Sequence, residues 1–337
     1  MKRIRVGLNG FGRIGRAFTR IALLRNSFDI VAINTRKTPT NSLAYLLQYD
    51  SVYRKFGKPV KAEGDILSVG DVKIQTTLSP DPEQIQWDKY QVDVVLDATG
   101  AFKTKQDLGK HLKGSVKKVI VTVDSSDQEV PHIVMGVNDD KVDFSTCNIV
   151  SNCTCTTNCS AIMFKVLDDN FKVLGGFLST THAYTQTQNL LDDSGKTPDR
   201  SRAAALNIIP TTTGAARAIV KTLPHLVGKI DGIALRVPVP TVSISVVSAI
   251  VEKTPTVDEV NNAFKNASET TMKNILGYEK EVLVSSDYIG SPYSCIFDAN
   301  YTKIANGHLV NIFGWYDNEW GYSTRLVDLI EKISDSV

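Results

Sequence analysis

The segment 151–159 reads Ser-Asn-Cys-Thr-Cys-Thr-Thr-Asn-Cys and holds three of the five cysteines of the chain. It follows a β-rich run, 148–150, and precedes a pattern that predicts a helix over 157–170. A cysteine at such a junction faces unpaired backbone N–H groups and the positive end of the helix dipole, which both stabilise a thiolate. The spacing therefore predicts a nucleophilic thiol. A metal or redox-sensing site is the alternative, although no C-x-x-C pair or nearby histidine completes four ligands, so we expect no metal.

A catalytic thiol needs a base, and the chain has five histidines. His182 ends a predicted strand, 177–184, and opens the long polar segment 186–202. An active-site base would be presented at such a place, and a loop of this length is usually functional or an assembly element. A lone histidine is more often a packing or surface residue, so the sequence alone leaves both interpretations open.

A glycine-rich turn near the start indicates a nucleotide site. Gly10-Phe11-Gly12-Arg13-Ile14-Gly15 follows an alternating strand, 3–8, and precedes a helical pattern, 16–24, and a second strand, 29–34. Gly10 permits a tight turn, Gly12 lets the backbone approach a pyrophosphate, and Gly15 lets helix and strand pack closely. The predicted buried face of the helix comprises Phe18, Ile21, Ala22 and Leu24. A merely tight β–α turn is the alternative.

Two further features bear on the cofactor. Predicted strands at 92–96 and 118–123 extend the sheet, and Thr99 and Gly100 follow the first of them, where cofactor contacts are usual. The second strand ends without the acid that normally accepts from the adenosine ribose, because the chain reads Asn-Thr35-Arg36-Lys37. Losing that carboxylate removes repulsion against a 2′-phosphate, and a cation beside it can pair with one. The alternative is a solvated loop that binds nothing.

Composition limits the class of protein. The 337 residues suit two domains, and 42% apolar and 22% charged residues are typical of a globular protein. A net charge of +2 gives no argument for nucleic acid or an anionic membrane. No stretch approaches the roughly 20 apolar residues of a membrane-spanning helix. We see no signal peptide, and an odd, clustered set of cysteines fits a reducing compartment, so we expect a cytoplasmic protein.

The second half is richer in β-structure than the first. Strands are predicted at 177–184, 232–239, 242–251 and 308–315. Helices are predicted at 157–170, at 203–209 extending past residue 214, and at 257–275. We expect an α/β Rossmann dinucleotide-binding domain over 1–150 and an α+β catalytic domain with a mixed or antiparallel sheet over 151–317. A C-terminal helix in 318–337 is predicted to pack back on the first domain.

An ordered series of motifs resembles the phosphorylating glyceraldehyde-3-phosphate dehydrogenase family along essentially the whole chain. The segments are 10–15, 151–159, 181–185, Pro-Thr-Thr-Thr-Gly-Ala-Ala-Arg at 210–217, Arg-Val-Pro at 236–238 and Trp-Tyr-Asp-Asn-Glu-Trp-Gly-Tyr at 315–322. The resemblance implies that Cys155 is the nucleophile and His182 its partner. It further implies oxidation of D-glyceraldehyde 3-phosphate to 1,3-bisphosphoglycerate through a thiohemiacetal and a thioester, with inorganic phosphate as the second substrate.

The resemblance also implies roles for other residues. Those that resemble the inorganic-phosphate site are Thr154, Thr156, Thr213 and Gly214, and those that resemble the site for the substrate's C3 phosphate are Thr185, Thr187 and Arg236. Arg200 corresponds to an arginine shared by both anions. Asn318 corresponds to the residue that binds the nicotinamide carboxamide, and Tyr322 would flank that ring. The family further implies a homotetramer, a role in glycolysis or gluconeogenesis, and an intersubunit role for the segment 186–202.

Some positions depart from the family pattern. Cys153 and Thr154 replace the usual Ala-Ser, and Thr35 replaces the usual acid. Ser194 stands where NAD-specific members often have proline, although Asp192 and Asp193 beside it would repel a 2′-phosphate. Together with Arg36, these differences favour NADP acceptance, with NAD or NADP as the cofactor. Erythrose-4-phosphate dehydrogenase is the nearest alternative function, and a paralogue without catalysis is another.

Overall fold

A computed structural model describes residues 3–337, which divide into two compact units. Unit 1 comprises the described residues up to Ile133 together with Asp140–Cys153 and Ser323–Val337. Unit 2 comprises Val134–Asp139 and Thr154–Tyr322. Among the described residues, no helix combines the length and the apolar character needed to cross a membrane.

Unit 1 is built on one sheet. Its described strands are β1 (Arg5–Asn9), β2 (Asp29–Thr35), β3 (Val60–Glu63), β4 (Ile66–Val69), β5 (Val72–Leu78), β6 (Val94–Asp97), β7 (Lys118–Val121) and β8 (Ile149–Ser151). They lie in the order β3-β4-β5-β2-β1-β6-β7-β8, and only the pairs β3/β4 and β4/β5 are antiparallel. The helices that follow its strands are α1 (Arg13–Arg25), α2 (Thr40–Gln48) and α3 (Lys105–Gly109). This is the doubly wound Rossmann arrangement that the sequence predicts.

The order of these strands defines where a ligand can bind. β1 pairs in parallel with β2 on one side and with β6 on the other. The chain leaves β1 through α1 toward β2, so the strand order reverses at β1. In open parallel sheets the crevice beyond the carboxyl ends of the strands at such a switch point is the usual ligand site. The glycine-rich turn and Thr99 stand at that edge.

Unit 2 is built on a mixed sheet, as predicted. Its described strands are β9 (Val173–Ala183), β10 (Ile209–Thr212), β11 (Ile230–Val237), β12 (Ser243–Val251), β13 (Leu276–Glu279), β14 (Cys295–Asp298), β15 (Lys303–Ala305) and β16 (Leu309–Tyr316). The central order is β10-β11-β9-β12-β16-β14-β13, with parallel pairs at β11/β9 and β13/β14. Its helices are α4 (Cys155–Phe171), α5 (Ala215–Thr222) and α6 (Val257–Glu269).

The last helix, α7 (Trp320–Ile333), passes from unit 2 into unit 1 along the chain. Within unit 1 it contacts the end of α1, where Arg25 forms ion pairs with Asp328 and Glu331. Ser27 Oγ also donates to Glu331 at 2.6 Å. Leu326, Val327, Leu329 and Ile330 of this helix are buried.

Three local expectations were wrong. Of the helix predicted from 203–209 to past residue 214, only the part after 214 forms, as α5, and the rest is replaced by turns and by β10, because Ile209–Thr212 pairs with β11 and Pro210 lacks a helical N–H. Helix α6 ends at Glu269 rather than at 275, before two β-branched threonines. Leu24 was placed on the buried face of α1, but its side chain is 59% exposed.

Candidate functional site

The cysteine segment forms the start of a helix, as its sequence suggests. Cys155 is the first residue of α4, and Thr154 is its N-cap, with an extended backbone. Thr154 Oγ1 accepts from the Thr157 N–H at 3.2 Å and lies 2.8 Å from Thr157 Oγ1. The first turn holds no acidic residue, so no carboxylate of that turn opposes a negative charge on the Cys155 sulfur.

The sheet of unit 2 brings a histidine to that sulfur. His182 is the penultimate residue of β9, and its Nε2 lies 3.4 Å from Cys155 Sγ. The parallel register of β9 with β11 pairs His182 directly with Arg236. A thiol, an imidazole and a guanidinium therefore stand in series, which is an arrangement suited to nucleophilic catalysis.

The pKa values of the pair differ from the sequence expectation of a resting thiolate. Burial raises the pKa of Cys155 to about 11, although Arg236 and hydrogen bonds from Thr156 act in the opposite direction. Burial, with the charge of Arg236, lowers the pKa of His182 to about 3. At neutral pH the free protein therefore holds a thiol beside a neutral imidazole, and this imidazole can accept the thiol proton when a substrate arrives.

Arg236 also contacts the other side of the imidazole. Its Nη1 lies 2.5 Å from His182 Nδ1 and donates to the Ala183 carbonyl oxygen at 3.0 Å. His182 Nδ1 lies 2.7 Å from the same carbonyl oxygen. Nε2 can act as a base only in the tautomer with the proton on Nδ1, which then donates to the Ala183 oxygen. Arg236 can only donate, so in this tautomer its Nη1 hydrogen is directed at the Ala183 oxygen and not at Nδ1.

Behind the pair, a buried hydroxyl group links the helix to the sheet. Tyr316 OH lies 3.0 Å from Thr156 Oγ1 and 2.9 Å from Thr180 Oγ1. Its ring meets the His182 ring edge-on, with centroids 6.1 Å apart. Burial raises the pKa of Tyr316, so the phenol stays neutral and can donate. Sequence reasoning missed Thr180 and gave Tyr316 no role, because only the strand pairing places them beside Thr156.

The second predicted arginine, Arg200, is oriented by hydroxyl groups. Its Nη1 donates to Thr187 Oγ1 at 3.0 Å and its Nη2 to Thr211 Oγ1 at 3.2 Å. Thr185 Oγ1 lies 2.8 Å from Thr187 Oγ1. The structure thus brings Arg200, Thr185 and Thr187 together. Thr211 is an additional member without a sequence signal of its own.

Arg236 Nε and Gln188 Nε2 are among the buried donors of unit 2 that lack a hydrogen-bond partner among the described residues. Arg200 and Arg236 both place positive charge near His182. Arg200 contributes to the lowered pKa of Arg236 and to the lowered pKa of His182. A buried donor without a partner is costly, so these N–H groups suit an anionic ligand.

Thr213 and Gly214 stand at the start of α5. Gly214 is the N-cap of that helix and provides no side-chain cap, while Thr213 Oγ1 accepts from the Ala215 N–H at 3.1 Å. Helix N–H groups at such an end favour an anion. Thr213 and Gly214 therefore stand in a setting that suits phosphate, but the hydroxyl of Thr213 already accepts a backbone bond.

Asn318 has a fixed side-chain orientation. Ser243 Oγ donates to Asn318 Oδ1 at 3.0 Å, and the Ala183 N–H donates to Ser243 Oγ at 3.1 Å. The amide of Asn318 therefore presents its Nδ2 hydrogens, which suits a carboxamide oxygen. Tyr322 is buried, with 4% of its surface exposed. Ser243 is a further residue that sequence reasoning missed.

In unit 1, the glycine-rich turn has room for a pyrophosphate. Gly10 adopts φ +97°, and a Cβ there would lie 2.9 Å from the backbone of Ala98 and Thr99. A Cβ on Gly15 would lie 2.3 Å from the Gly10 oxygen, whereas one on Gly12 would meet nothing within 4 Å. Gly12 caps α1 without a side-chain bond, and the first turn has no acid, so its N–H groups are available to an anion.

The remaining members of the turn have other contacts. Phe11 is buried, and its carbonyl oxygen accepts from Arg16 Nη1 at 2.9 Å. Arg13 forms an ion pair with Asp50 and lies over the Tyr53 ring at 5.5 Å. The carbonyl oxygen of Ile14 lies 3.5 Å from Ser323 Oγ. The side chain of Arg13 is thus engaged within unit 1.

The specificity residues at the end of β2 are partly engaged. Thr35 Oγ1 donates to the Thr38 oxygen at 2.9 Å and accepts from the Thr38 N–H at 3.2 Å, so it closes a turn. Arg36 is exposed beside it. At the end of β6, Thr99 is exposed and bonded to Asp97, and Gly100 follows with φ +68°.

The cysteine cluster separates into different environments. Cys153 and Cys159 are buried, while Cys155 is partly exposed. Cys159 contacts Met163 and the Gly314 oxygen on the inner side of α4. Within residues 3–337, no group of three His, Cys, Asp or Glu side chains has a geometry that could hold a metal ion.

A doubly wound nucleotide-binding sheet followed by a mixed-sheet domain with a thiol–imidazole pair is suited to an oxidoreductase that binds a dinucleotide. The chain belongs to the glyceraldehyde-3-phosphate dehydrogenase family. The profile of the glyceraldehyde 3-phosphate dehydrogenase NAD binding domain matches residues 4–105, and that of the C-terminal domain matches residues 154–318. Membership makes the chain an NAD-binding oxidoreductase that acts on an aldehyde group.

Curated relatives match along nearly the whole chain. The glyceraldehyde-3-phosphate dehydrogenase of Priestia megaterium is 46% identical over 331 residues, 98% of each chain. Glyceraldehyde-3-phosphate dehydrogenase 2 of Streptomyces avermitilis is 48% identical over 328 residues, 97% of each chain. The glyceraldehyde-3-phosphate dehydrogenase of Geobacillus stearothermophilus is 45% identical over 331 residues, 98% of each chain. These matches do not favour erythrose-4-phosphate dehydrogenase.

Proposed function

We propose that the protein oxidises D-glyceraldehyde 3-phosphate and phosphorylates the product with inorganic phosphate, giving 1,3-bisphosphoglycerate. The observation that carries the proposal is the 3.4 Å contact between Cys155 Sγ and His182 Nε2, with Arg236 on the far side of the imidazole. A thiol and a neutral base within reach can form a thioester, which conserves the oxidation energy for transfer to phosphate. The reaction belongs to glycolysis and, in reverse, to gluconeogenesis.

The first half of the reaction builds a bond to sulfur. His182 Nε2 takes the proton from Cys155, and Sγ attacks the aldehyde carbon. The imidazole returns that proton to the carbonyl oxygen, which completes a thiohemiacetal. His182 then accepts the hydroxyl proton as a hydride leaves the same carbon. The nicotinamide supplies the hydride acceptor when bound.

The second half breaks that bond again. A phosphate oxygen attacks the thioester carbon, and the C–S bond breaks with sulfur leaving as a thiolate. The thiolate recovers the proton held on His182. Arg236, Arg200, Thr185 and Thr187 hold the substrate's C3 phosphate, and Thr213, Gly214, Thr154 and Thr156 hold the incoming phosphate. Hydroxyl and N–H donors with two cations suit anions that must also leave.

The cofactor would be held by the glycine-rich turn 10–15, by residues at the ends of β2 and β6, and by two residues of the segment 315–322. We propose that the N–H groups of the 10–15 turn bind the pyrophosphate, that Thr35, Arg36, Thr99 and Gly100 bind around the adenosine and ribose groups, and that Asn318 and Tyr322 fix the nicotinamide ring. NADP acceptance is supported by the missing acid at Thr35. In the segment 186–202, Asp192 bonds Arg202 and Asp193 accepts from the Ser194 N–H, so both acids are engaged within their own loop.

We further propose that the unit boundaries correspond to a cofactor domain, 1–150, and a catalytic domain, 151–317, with the helix in 318–337 belonging to the first. We also propose a cytoplasmic homotetramer, since a surface-exposed apolar pair, Leu190 and Leu191, lies in the 186–202 segment and all five cysteines are free.

A rapid-mixing experiment tests the chemistry. With D-glyceraldehyde 3-phosphate and NAD or NADP but no phosphate, we expect a burst of about one reduced nicotinamide per subunit, and added phosphate should restore continuous turnover. The variant Cys155→Ser should give no burst. Erythrose 4-phosphate is the comparison substrate, and turnover with that sugar alone would contradict the proposal.

A further inference from the structure

A buried hydrogen-bonded chain lies beneath the glycine-rich edge of unit 1. Trp87 Nε1 donates to His111 Nδ1 at 3.0 Å, and His111 Nε2 lies 3.2 Å from Asp97 Oδ2. The side chains of all three residues are completely buried. None of the three takes part in the proposed chemistry or in the predicted cofactor contacts.

The indole fixes the tautomer of the histidine. An indole N–H can only donate, so His111 Nδ1 must be the acceptor and carry no hydrogen. The ring hydrogen therefore stands on Nε2, where it donates to Asp97. A second proton on Nδ1 would point at the Trp87 hydrogen. The geometry thus assigns a neutral imidazole with one defined donor.

Asp97 accepts most of the hydrogen bonds in this buried series. Its Oδ2 accepts from Asn9 Nδ2 at 2.8 Å as well as from His111, and its Oδ1 accepts from the Thr99 N–H at 3.1 Å and Thr99 Oγ1 at 2.6 Å. A buried carboxylate is tolerated only when donors satisfy it. Removing the donor of His111 leaves Oδ2 with Asn9 alone and weakens the hold on Thr99.

The contacts of Asp97 reach the cofactor-binding turn directly. Gly10 packs on the Ala98–Thr99 peptide so closely that a Cβ there would lie 2.9 Å from the Thr99 nitrogen. Asn9 precedes Gly10, and its Oδ1 accepts from Asn34 Nδ2 at 2.8 Å at the end of β2. The Asp97 carboxylate therefore links Asn9, which precedes Gly10, to Thr99, whose peptide packs against Gly10.

The indole end of this hydrogen-bonded series, at Trp87, is also fixed in position. The Trp87 ring packs against the backbone of β1, where a Cβ on Gly7 would lie 2.8 Å from two ring atoms. The indole therefore has a fixed position against the strand that leads into the turn. Rigid support of this kind is what a binding loop needs to keep its N–H groups aligned.

We propose that Trp87, His111 and Asp97 are positioning residues that set the affinity for the nicotinamide dinucleotide. They do so by holding the Ala98–Thr99 peptide against the Gly10 turn. The inference rests on the proposed cofactor, but it concerns residues that touch neither cofactor nor substrate.

The test compares two replacements of one side chain. His111→Gln keeps an amide donor that can reach Asp97, whereas His111→Leu keeps bulk and removes the donor. By titration calorimetry we expect His111→Leu to weaken NAD binding about tenfold and His111→Gln to weaken it no more than about threefold. With saturating cofactor, kcat should change little, so the effect appears in KM.

His132→Leu is the matched control, because His132 is a buried histidine of unit 1 on a different segment, bonded to the Val130 oxygen. It should lower the urea midpoint without changing the NAD dissociation constant. If His111→Leu fails to fold, Trp87→Phe keeps a six-membered aromatic ring and removes the pyrrole part of the indole with its N–H, and it should weaken NAD binding about threefold.

The outcomes distinguish a failure of this inference from a failure of the proposed function. If wild-type protein binds NAD or NADP and folded His111→Leu or Trp87→Phe binds it equally well, the inference is overturned and the proposed function stands. It is also overturned if His132→Leu loses as much affinity as His111→Leu, because the role would then be general stability. If the wild type binds neither nucleotide, the proposed cofactor fails and the inference fails with it.

Discussion

Cys155 is subject to opposing influences at the scale of single residues. The start of α4, the backbone N–H and the hydroxyl of Thr156 and the charge of Arg236 favour the thiolate, while burial favours the thiol. Burial is the largest of these effects and raises the pKa of Cys155 to about 11. The reactive form is therefore a minor species in the free protein, and its fraction grows with pH.

This balance predicts a pH profile for alkylation. With iodoacetamide and no ligand, we expect the rate at Cys155 to rise about tenfold for each pH unit and to keep rising above about pH 9. The lowered pKa of His182, about 3, leaves the imidazole neutral throughout, so it should add no inflection near pH 6. Fragmentation mass spectrometry that localises the label within the peptide separates Cys155 from half-buried Cys147.

Arg236 variants provide the control for this profile. Arg236→Leu removes a charge that lowers the pKa of Cys155, so its alkylation should be slower at a fixed pH, whereas Arg236→Lys should retain most of the rate. A wild-type rate that reaches a plateau below about pH 7 would show that the helix dipole and Arg236 outweigh burial.

The sequence allows part of this site to be predicted. The junction at Cys155 and the strand end at His182 are local signals, and the structure joins them at 3.4 Å. Thr211 and Tyr316 could not be found in this way, because their contacts with Arg200 and Thr156 depend on which strands pair. The raised pKa of Cys155 was likewise missed, since burial is a property of the folded chain.

At the scale of secondary structure, amphipathic periodicity predicts the long elements and fails where long-range pairing decides. The helix expected over 16–24 is α1, and the strand expected over 242–251 is β12. The segment 209–212 lies within a predicted helix, yet Pro210 opposes a helix there and β11 provides backbone partners that make the segment a strand. Strands β3 and β4 received no prediction because they are short and partly exposed.

The turn at the end of β2 leads to a prediction about the cofactor. Thr35 Oγ1 accepts from the Thr38 N–H, and a carboxylate oxygen can accept the same bond, so Thr35→Asp should preserve the turn. The added charge would repel a 2′-phosphate. We expect KM for NADP to rise about tenfold while KM for NAD stays equal or falls. Initial rates at saturating phosphate measure both.

Thr35→Asn is the matched control, because it has the same shape as aspartate without the charge. It should change the ratio of the two KM values by less than about threefold. The NADP proposal is wrong if the wild type strongly prefers NAD and Thr35→Asp leaves that preference as it was.

At the scale of the whole molecule, the surface of unit 2 carries apolar side chains that a folded monomer does not explain. Leu190 and Leu191 are 81% and 70% exposed in the long segment between β9 and β10. That segment is held together by its own polar contacts, such as Asn189 Nδ2 with the Asp193 oxygen and Arg202 with Asp192. A loop that is ordered internally and presents apolar tips is suited to contact another chain.

The homotetramer proposal therefore predicts a specific assembly defect. Sedimentation equilibrium of the wild type should give about four times the 37.0 kDa chain mass. The double variant Leu190→Ser, Leu191→Ser removes apolar area and should shift the population toward smaller species at micromolar concentration. Val282→Ser is the control, because Val282 is 78% exposed outside that segment and should leave the mass unchanged. A wild-type mass of one chain would contradict the tetramer, and a double variant that stays tetrameric would remove the loop from its interface.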